Sequence, residues 1–142
     1  MTPTFPANAR ERFRQAYPAV PASVGLARRA LSDFAKRVGA SQAVVDAVTL
    51  GVSEAVTNVV VHAYRDSAEP GEVEVAAALA SGELWVIVAD AGSGLRPRRD
   101  SPGLGLGLGL IAQVSDGVDL EHRAGGGLEL RMRFAVDAAR GY

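Results

Sequence analysis

The sequence predicts an α+β fold, a two-layer sandwich in which about three helices cover one face of a mixed, mostly antiparallel sheet. Three observations carry that prediction. Residues 128–136 alternate at strand period, with Leu128, Leu130, Met132, Phe134 and Val136 on one face and Glu129, Arg131 and Arg133 on the other, so the sheet has one covered face and one wet face. Residues 23–38 and 41–62 instead repeat apolar side chains at helical period. Finally, 142 residues that are 48% hydrophobic and 22% charged suit one domain around one core.

In chain order, residues 9–17 are polar and weakly alternating, and Pro18 and Pro21 close them off as an edge strand. Ser23 is placed to cap a first helix, whose stripe of Val24, Ala27, Leu31, Phe34, Ala35 and Val38 ends at Gly39. Ser41 is placed to cap a second helix that runs through Val44, Val48, Val52, Val56 and Val60 to about His62. Valine is a mediocre helix former, so packing must hold this helix. Asp66, Ser67, Pro70 and Gly71 mark a loop over 65–71. Residues 72–80 and 83–89 read as strands joined by a tight turn at Ser81-Gly82. Glycine, arginine and proline fill a loop over 91–103, and 104–116 is apolar enough for a third, buried helix stopped by Gly117. Residues 118–123 and 128–136 form the last two strands, joined by Gly125-Gly126-Gly127.

Composition excludes several classes of function. Fifteen Lys+Arg against sixteen Asp+Glu give a net charge of -1, which leaves no general attraction for nucleic acid or anionic lipid. The absence of cysteine removes disulfides, zinc-thiolate sites and thiol nucleophiles, and with two histidines any metal would be held by oxygen. No uninterrupted apolar run approaches the roughly 20 residues of a membrane span, and the first residues lack the apolar stretch of a secretory signal. A cytoplasmic address is therefore expected. The single lysine, Lys36, lies in no glycine-rich loop, which argues against a Walker A site and a eukaryotic-type protein kinase. Gly103, Gly105, Gly107 and Gly109 are spaced by two, so the dinucleotide pattern G-x-G-x-x-G also fails.

Three patches carry chemistry. In the first, Glu54, Asn58 and His62 are four apart on an otherwise apolar helix, stacked along one face. Polar groups there must reach a cleft or find partners. The Asn58 oxygen is a suitable hard ligand for Mg²⁺, and Glu54, one turn away, could orient or deprotonate a hydroxyl. The plain alternative is an amphipathic helix whose polar residues line up by accident. In the second patch, Val86-Ile-Val-Ala-Asp90-Ala-Gly92-Ser-Gly94, a carboxylate at a strand end could accept from an exocyclic amine such as that of adenine, with glycines allowing close approach. An Asx turn closing the strand is the alternative. In the third, Gly103-Leu104-Gly105-Leu106-Gly107-Leu108-Gly109 offers backbone N–H groups to phosphates, while the leucines anchor the turn. A glycine-rich buried helix is the alternative there, although each such glycine costs about 0.5–1 kcal/mol relative to alanine.

In this order the patches resemble the N, G1 and G2 boxes of the GHKL (Bergerat-fold) ATPase superfamily, which includes gyrase and the histidine kinases. The resemblance covers about residues 50–134. The string Glu54-Ala-Val-Thr-Asn58-Val-Val-Val-His62-Ala-Tyr64 and the stretch Pro102-Gly-Leu-Gly-Leu-Gly-Leu108 look most like the anti-sigma factor serine kinases of bacteria, the RsbW and SpoIIAB type. The resemblance implies a single ATP-binding domain over 1–142 that uses ATP and Mg²⁺. It implies that Asn58 holds Mg²⁺, that Glu54 is the base near an attacking serine hydroxyl, and that Asp90 takes the adenine amine. Gly92 and Gly94 would let the base approach, and Gly103, Leu104, Gly105, Leu106 and Gly107 would lie at the triphosphate. Residues 95–102 would be the ATP lid. Guanidinium chemistry makes Arg96, Arg98 and Arg99 candidate phosphate neighbours, with solvated loop arginines as the other reading. His62 and Tyr64 belong to the motif and are read as supporting the fold. The partners implied are a sigma factor and an anti-sigma factor antagonist of the STAS type, with a possible homodimer and with neither nucleic acid nor membrane. One departure stands out: Gly127 is followed by Leu128, where the family usually has threonine. A non-catalytic ATP-binding adaptor and a switch-type kinase of a stress module are the other functions open at this point.

Overall fold

The computed structural model describes residues 4–92 and 108–136. Strand β1 (Arg10–Pro18) leads into helix α1 (Ala22–Arg37) and helix α2 (Gln42–Asn58), which continues through one π-helical turn, Val59–Ala63. A hairpin of β2 (Glu72–Ala80) and β3 (Glu83–Asp90) follows. Helix α3 (Leu108–Val114) then precedes a second hairpin of β4 (Gly117–His122) and β5 (Leu128–Ala135). Ser81 and Gly82 both take positive φ, 52° and 79°, as a two-residue hairpin turn demands.

The sheet order is β1-β2-β3-β5-β4, with the predicted edge strand β1 at one side. Two helices between β1 and β2 carry the chain away and back, so these strands pair antiparallel. β5 is antiparallel to both β3 and β4 and sits between them. β3 and β4 run the same way but never meet, so the mixed character expected of the sheet gives way to wholly antiparallel pairing among the described residues.

The layers meet where the sequence placed them. Leu31 and Phe34 of α1 and Val48, Val52 and Val56 of α2 are fully buried against Val73, Val75, Val86, Met132 and Phe134. Each such side chain contributes roughly 1.5–3 kcal/mol of burial. Gly51 lets α2 lie close on the sheet, since a Cβ there would stand 3.0 Å from the Met132 sulfur. Ser41 caps α2 as expected, accepting from the Val44 N–H at 3.2 Å, and Gly39 takes φ +88° behind α1.

Two local expectations are corrected. Ser23 is not the cap of α1: Pro21 holds that position with φ −52°, its ring already set for a helix, and the Ser23 hydroxyl is buried and donates to the Pro18 carbonyl at 2.6 Å. Gly117 does not stop α3, which ends at Val114; it opens β4, where the Arg133 guanidinium occupies the space a side chain would need. The segment Gln42–Ala63 has 22 residues, and an 18-residue window within it reaches a mean hydropathy of 1.6, so by length and composition alone it could cross a membrane. It holds no uninterrupted apolar run of that length, and its valines are buried in the core.

The other sheet face carries no helix among the described residues, yet it is largely closed by its own side chains. Arg14 pairs with Glu74 at 2.5 Å, Arg131 lies 3.6 Å from both Glu121 and Glu129, and Arg133 is 3.7 Å from Glu83. Ala76, Ala78 and Ala89 lie fully buried among these long side chains, and Glu129 is only 4% exposed.

Candidate functional site

The site grows from the last residue of β3. Asp90 pairs in register with Val73, whose side chain is in the core, so the carboxylate enters the helix side of the sheet. It is 3% exposed. Its Oδ1 accepts from the Gly92 N–H at 2.9 Å, which makes the Asx turn a real feature of the strand end. Burial pushes the Asp90 carboxyl above its ordinary range, against the opposing pull of the Gly92 and Leu128 N–H groups and the Arg123 charge.

Asn58, the last residue of α2, lines the same cleft. Ala55, Val59, Val88, Leu108, Leu120 and Leu130 supply apolar walls, so among the described residues Asn58 and Asp90 are the two polar side chains that line it. Apolar walls with a few placed polar groups suit an apolar ring that presents a donor edge. Leu128 also lines the cleft and is 4% exposed, so the residue that departs from the family pattern acts as wall.

Glu54 lies one turn before Asn58 on α2, partly buried, and is not among the residues lining the cleft. His62 falls in the π-helical turn that continues α2, and it lies 3.5 Å from the Arg65 guanidinium through Nδ1. That turn is pressed against the end of β3: a Cβ on Gly92 would stand 2.0 Å from the Ala63 carbonyl oxygen. No cluster of three or more acidic or histidine side chains suited to a metal occurs among the described residues. A divalent ion here would take one carboxamide oxygen from Asn58 and fill its shell from phosphates and water, a donor set that suits Mg²⁺. Gly94, Gly103, Leu104, Gly105, Leu106 and Gly107, with the 95–102 segment and its arginines, lie outside the described residues.

A family model described as "Histidine kinase-like ATPase domain" matches residues 17–134. The chain belongs to that family. A relative named serine-protein kinase RsbW from Bacillus velezensis is 36% identical over 123 residues, covering 76% of each chain. One of the same name from Oceanobacillus iheyensis is 40% identical over 75 residues, which are 53% of this chain and 47% of that protein, so the match spans about half of that relative's length. A crystal structure of RsbU and RsbW domains from Mycobacterium tuberculosis superposes with a TM-score of 0.70 at 21% identity, over 89% of this chain and 33% of that one, and shares the fold.

Within this histidine kinase-like domain, sequence reasoning missed three residues packed on the Asp90 backbone. Arg123 Nη1 donates to the Asp90 carbonyl at 3.2 Å. Gly127, read as a turn residue, has φ +96° and sits where a Cβ would be 2.0 Å from that same carbonyl. Tyr64, read as support for the fold, accepts from the Ala91 N–H at 2.9 Å and donates to the Glu72 carbonyl at 2.6 Å. The glycine run was the one signal that a close approach was needed here; nothing in the sequence singled out Arg123.

Proposed function

We propose that this domain binds ATP and phosphorylates serine on a partner protein, as an anti-sigma factor kinase that also sequesters a sigma factor. In this reading Asp90 accepts the adenine amine, Gly92 and Gly94 give the base room, and Gly103, Leu104, Gly105, Leu106 and Gly107 meet the phosphates. Asn58 holds Mg²⁺, which neutralises phosphate charge when bound. Glu54 takes the proton of the attacking serine hydroxyl as its oxygen bonds to the γ-phosphorus and ADP departs. The phosphate-accepting partner is a STAS-type antagonist, and the protein acts in the cytoplasm, with a homodimer as its working form. The observation that carries the reading is the pairing of Asn58 with a buried Asp90 carboxylate in one otherwise apolar cleft. The names of the relatives add the phosphoacceptor class.

The test is direct. Purified protein incubated with Mg-ATP and an antagonist from the same genome is expected to yield phosphoserine. Glu54→Ala is expected to abolish transfer while ATP binding, read by calorimetry, persists. A wild-type protein that binds no adenine nucleotide overturns the reading.

A further inference from the structure

The end of β3 is fastened from several directions by Tyr64, Arg123 and Gly127, none of which is itself among the residues lining the cleft. Asp90 is the last residue of β3 to pair with β2, so beyond it the ladder no longer fixes the backbone. The Tyr64 hydroxyl bridges the Ala91 N–H and the Glu72 carbonyl, at 2.9 and 2.6 Å. Its ring occupies the place a side chain at Gly71 would need. From the far side of the sheet Arg123 donates to the Asp90 carbonyl at 3.2 Å, and its other terminal nitrogen is 3.8 Å from Glu74, itself bound to Arg14. Arg123 is 11% exposed at its side chain, so this is a shielded contact. Gly127 closes against the same carbonyl.

We propose that Tyr64 and Arg123 are positioning residues that clamp the Asp90-Ala91 backbone and so aim the Asp90 carboxylate at the amine of adenine, which sets the preference for ATP over a 6-oxo purine nucleotide. The inference rests on the nucleotide reading given above. An ionised carboxylate only accepts hydrogen bonds, so it rewards the amine of adenine and opposes the carbonyl of hypoxanthine. That discrimination depends on where the oxygens point. A loosened strand end lets the carboxylate turn toward its own backbone N–H groups or water and weakens the amine bond selectively. The apolar walls, which hold either base by its faces, are untouched by the change.

Calorimetric titration of the whole protein with Mg-ATP and with Mg-ITP reads the effect. Tyr64→Phe keeps the ring and removes the bridging oxygen; Arg123→Gln removes the charge and the reach to the carbonyl. Each is expected to weaken ATP binding by about three- to tenfold, the worth of one or two backbone-anchoring hydrogen bonds, with ITP changed less than about twofold. Arg123→Lys is expected to recover part of the ATP preference. Circular dichroism melts identify any variant that fails to fold, and Arg123→Gln, on the side of the sheet away from the core, serves if Tyr64→Phe does. Equal weakening of both nucleotides, or no change in either, overturns the clamp. A wild-type protein that prefers ATP while both variants keep that preference overturns the clamp alone; a wild type that binds neither nucleotide overturns the nucleotide reading with it.

Discussion

On the helix-covered face of the sheet, Val73, Val75, Val86, Val88, Leu130 and Met132 share the face with one buried carboxylate among the described residues, Asp90, whereas on the open face Glu74, Glu83, Glu121 and Glu129 each stand beside an arginine. The open face pairs its charges with one another, although Glu129 Oε2 and Arg131 Nε are buried there without a hydrogen-bond partner. The covered face leaves Asp90 to the Gly92 and Leu128 N–H groups and the Arg123 charge, whose pull burial outweighs, so its carboxyl is held above the ordinary range. A carboxylate held that way opposes folding but stands ready for a ligand that brings a donor. In the proposed function, that difference separates charges that serve the fold from the charge that serves binding.

The largest effect expected from breaking this contrast is on the covered face itself. Phe134, 1% exposed near the end of β5, packs against the helices. Phe134→Ala is expected to cost about 3–5 kcal/mol of stability in a urea denaturation series. Asp90→Asn sharpens the contrast in the opposite sense. Its amide oxygen can still accept from Gly92, so the melting temperature is expected to equal or exceed that of wild type, while ATP affinity falls about 10- to 150-fold, the worth of a charged hydrogen bond. A variant that melts well below wild type would place Asp90 with the structural charges.

The same carboxylate predicts a pH dependence. Because burial raises its folded-state pKa, the folded protein binds this proton more tightly than the unfolded chain. The stability this contributes is complete below the ordinary aspartate value and is lost as pH rises through the folded one. Wild type minus Asp90→Asn stability is therefore expected to fall with rising pH across that acidic window and to level off above it. ATP affinity runs the other way, gaining as the carboxylate ionises, and both can be followed by denaturation and titration at matched pH.

Sequence patterning made the fold legible because the signals were redundant. The alternation of Leu128 to Phe134 fixed β5, and the Ser41 cap and valine stripe fixed α2. Pairing direction was less accessible, since it depends on β5 inserting between β3 and β4, a long-range choice that no local pattern encodes. In the site, Asn58 and Asp90 were legible as polar residues in apolar surroundings, and the structure brings them to one cleft. The π-helical turn that holds His62 was not legible, because it changes the winding without changing the sequence periodicity that announces a helix. Arg123 was invisible for a different reason: an arginine near a strand end is ordinary until the carbonyl it reaches, 33 residues away, is known.

The smallest effect is expected on the open face. Arg133 lies over Gly117, 5.9 Å from the centre of the Trp85 ring and 3.7 Å from Glu83, with about a third of its side chain exposed. An ion pair open to water to that degree contributes roughly 0.2–1 kcal/mol, and the stem adds some packing on the tryptophan. Arg133→Leu keeps much of that packing and removes the charge, so it is expected to change stability by less than about 1 kcal/mol, with the difference shrinking further in 1 M salt. This outcome follows if the arginine layer acts as a self-solvating cover in which each member is replaceable. A loss of several kcal/mol insensitive to salt would instead mean that the open face holds a second, buried electrostatic core, and the two faces would then differ in degree and not in kind.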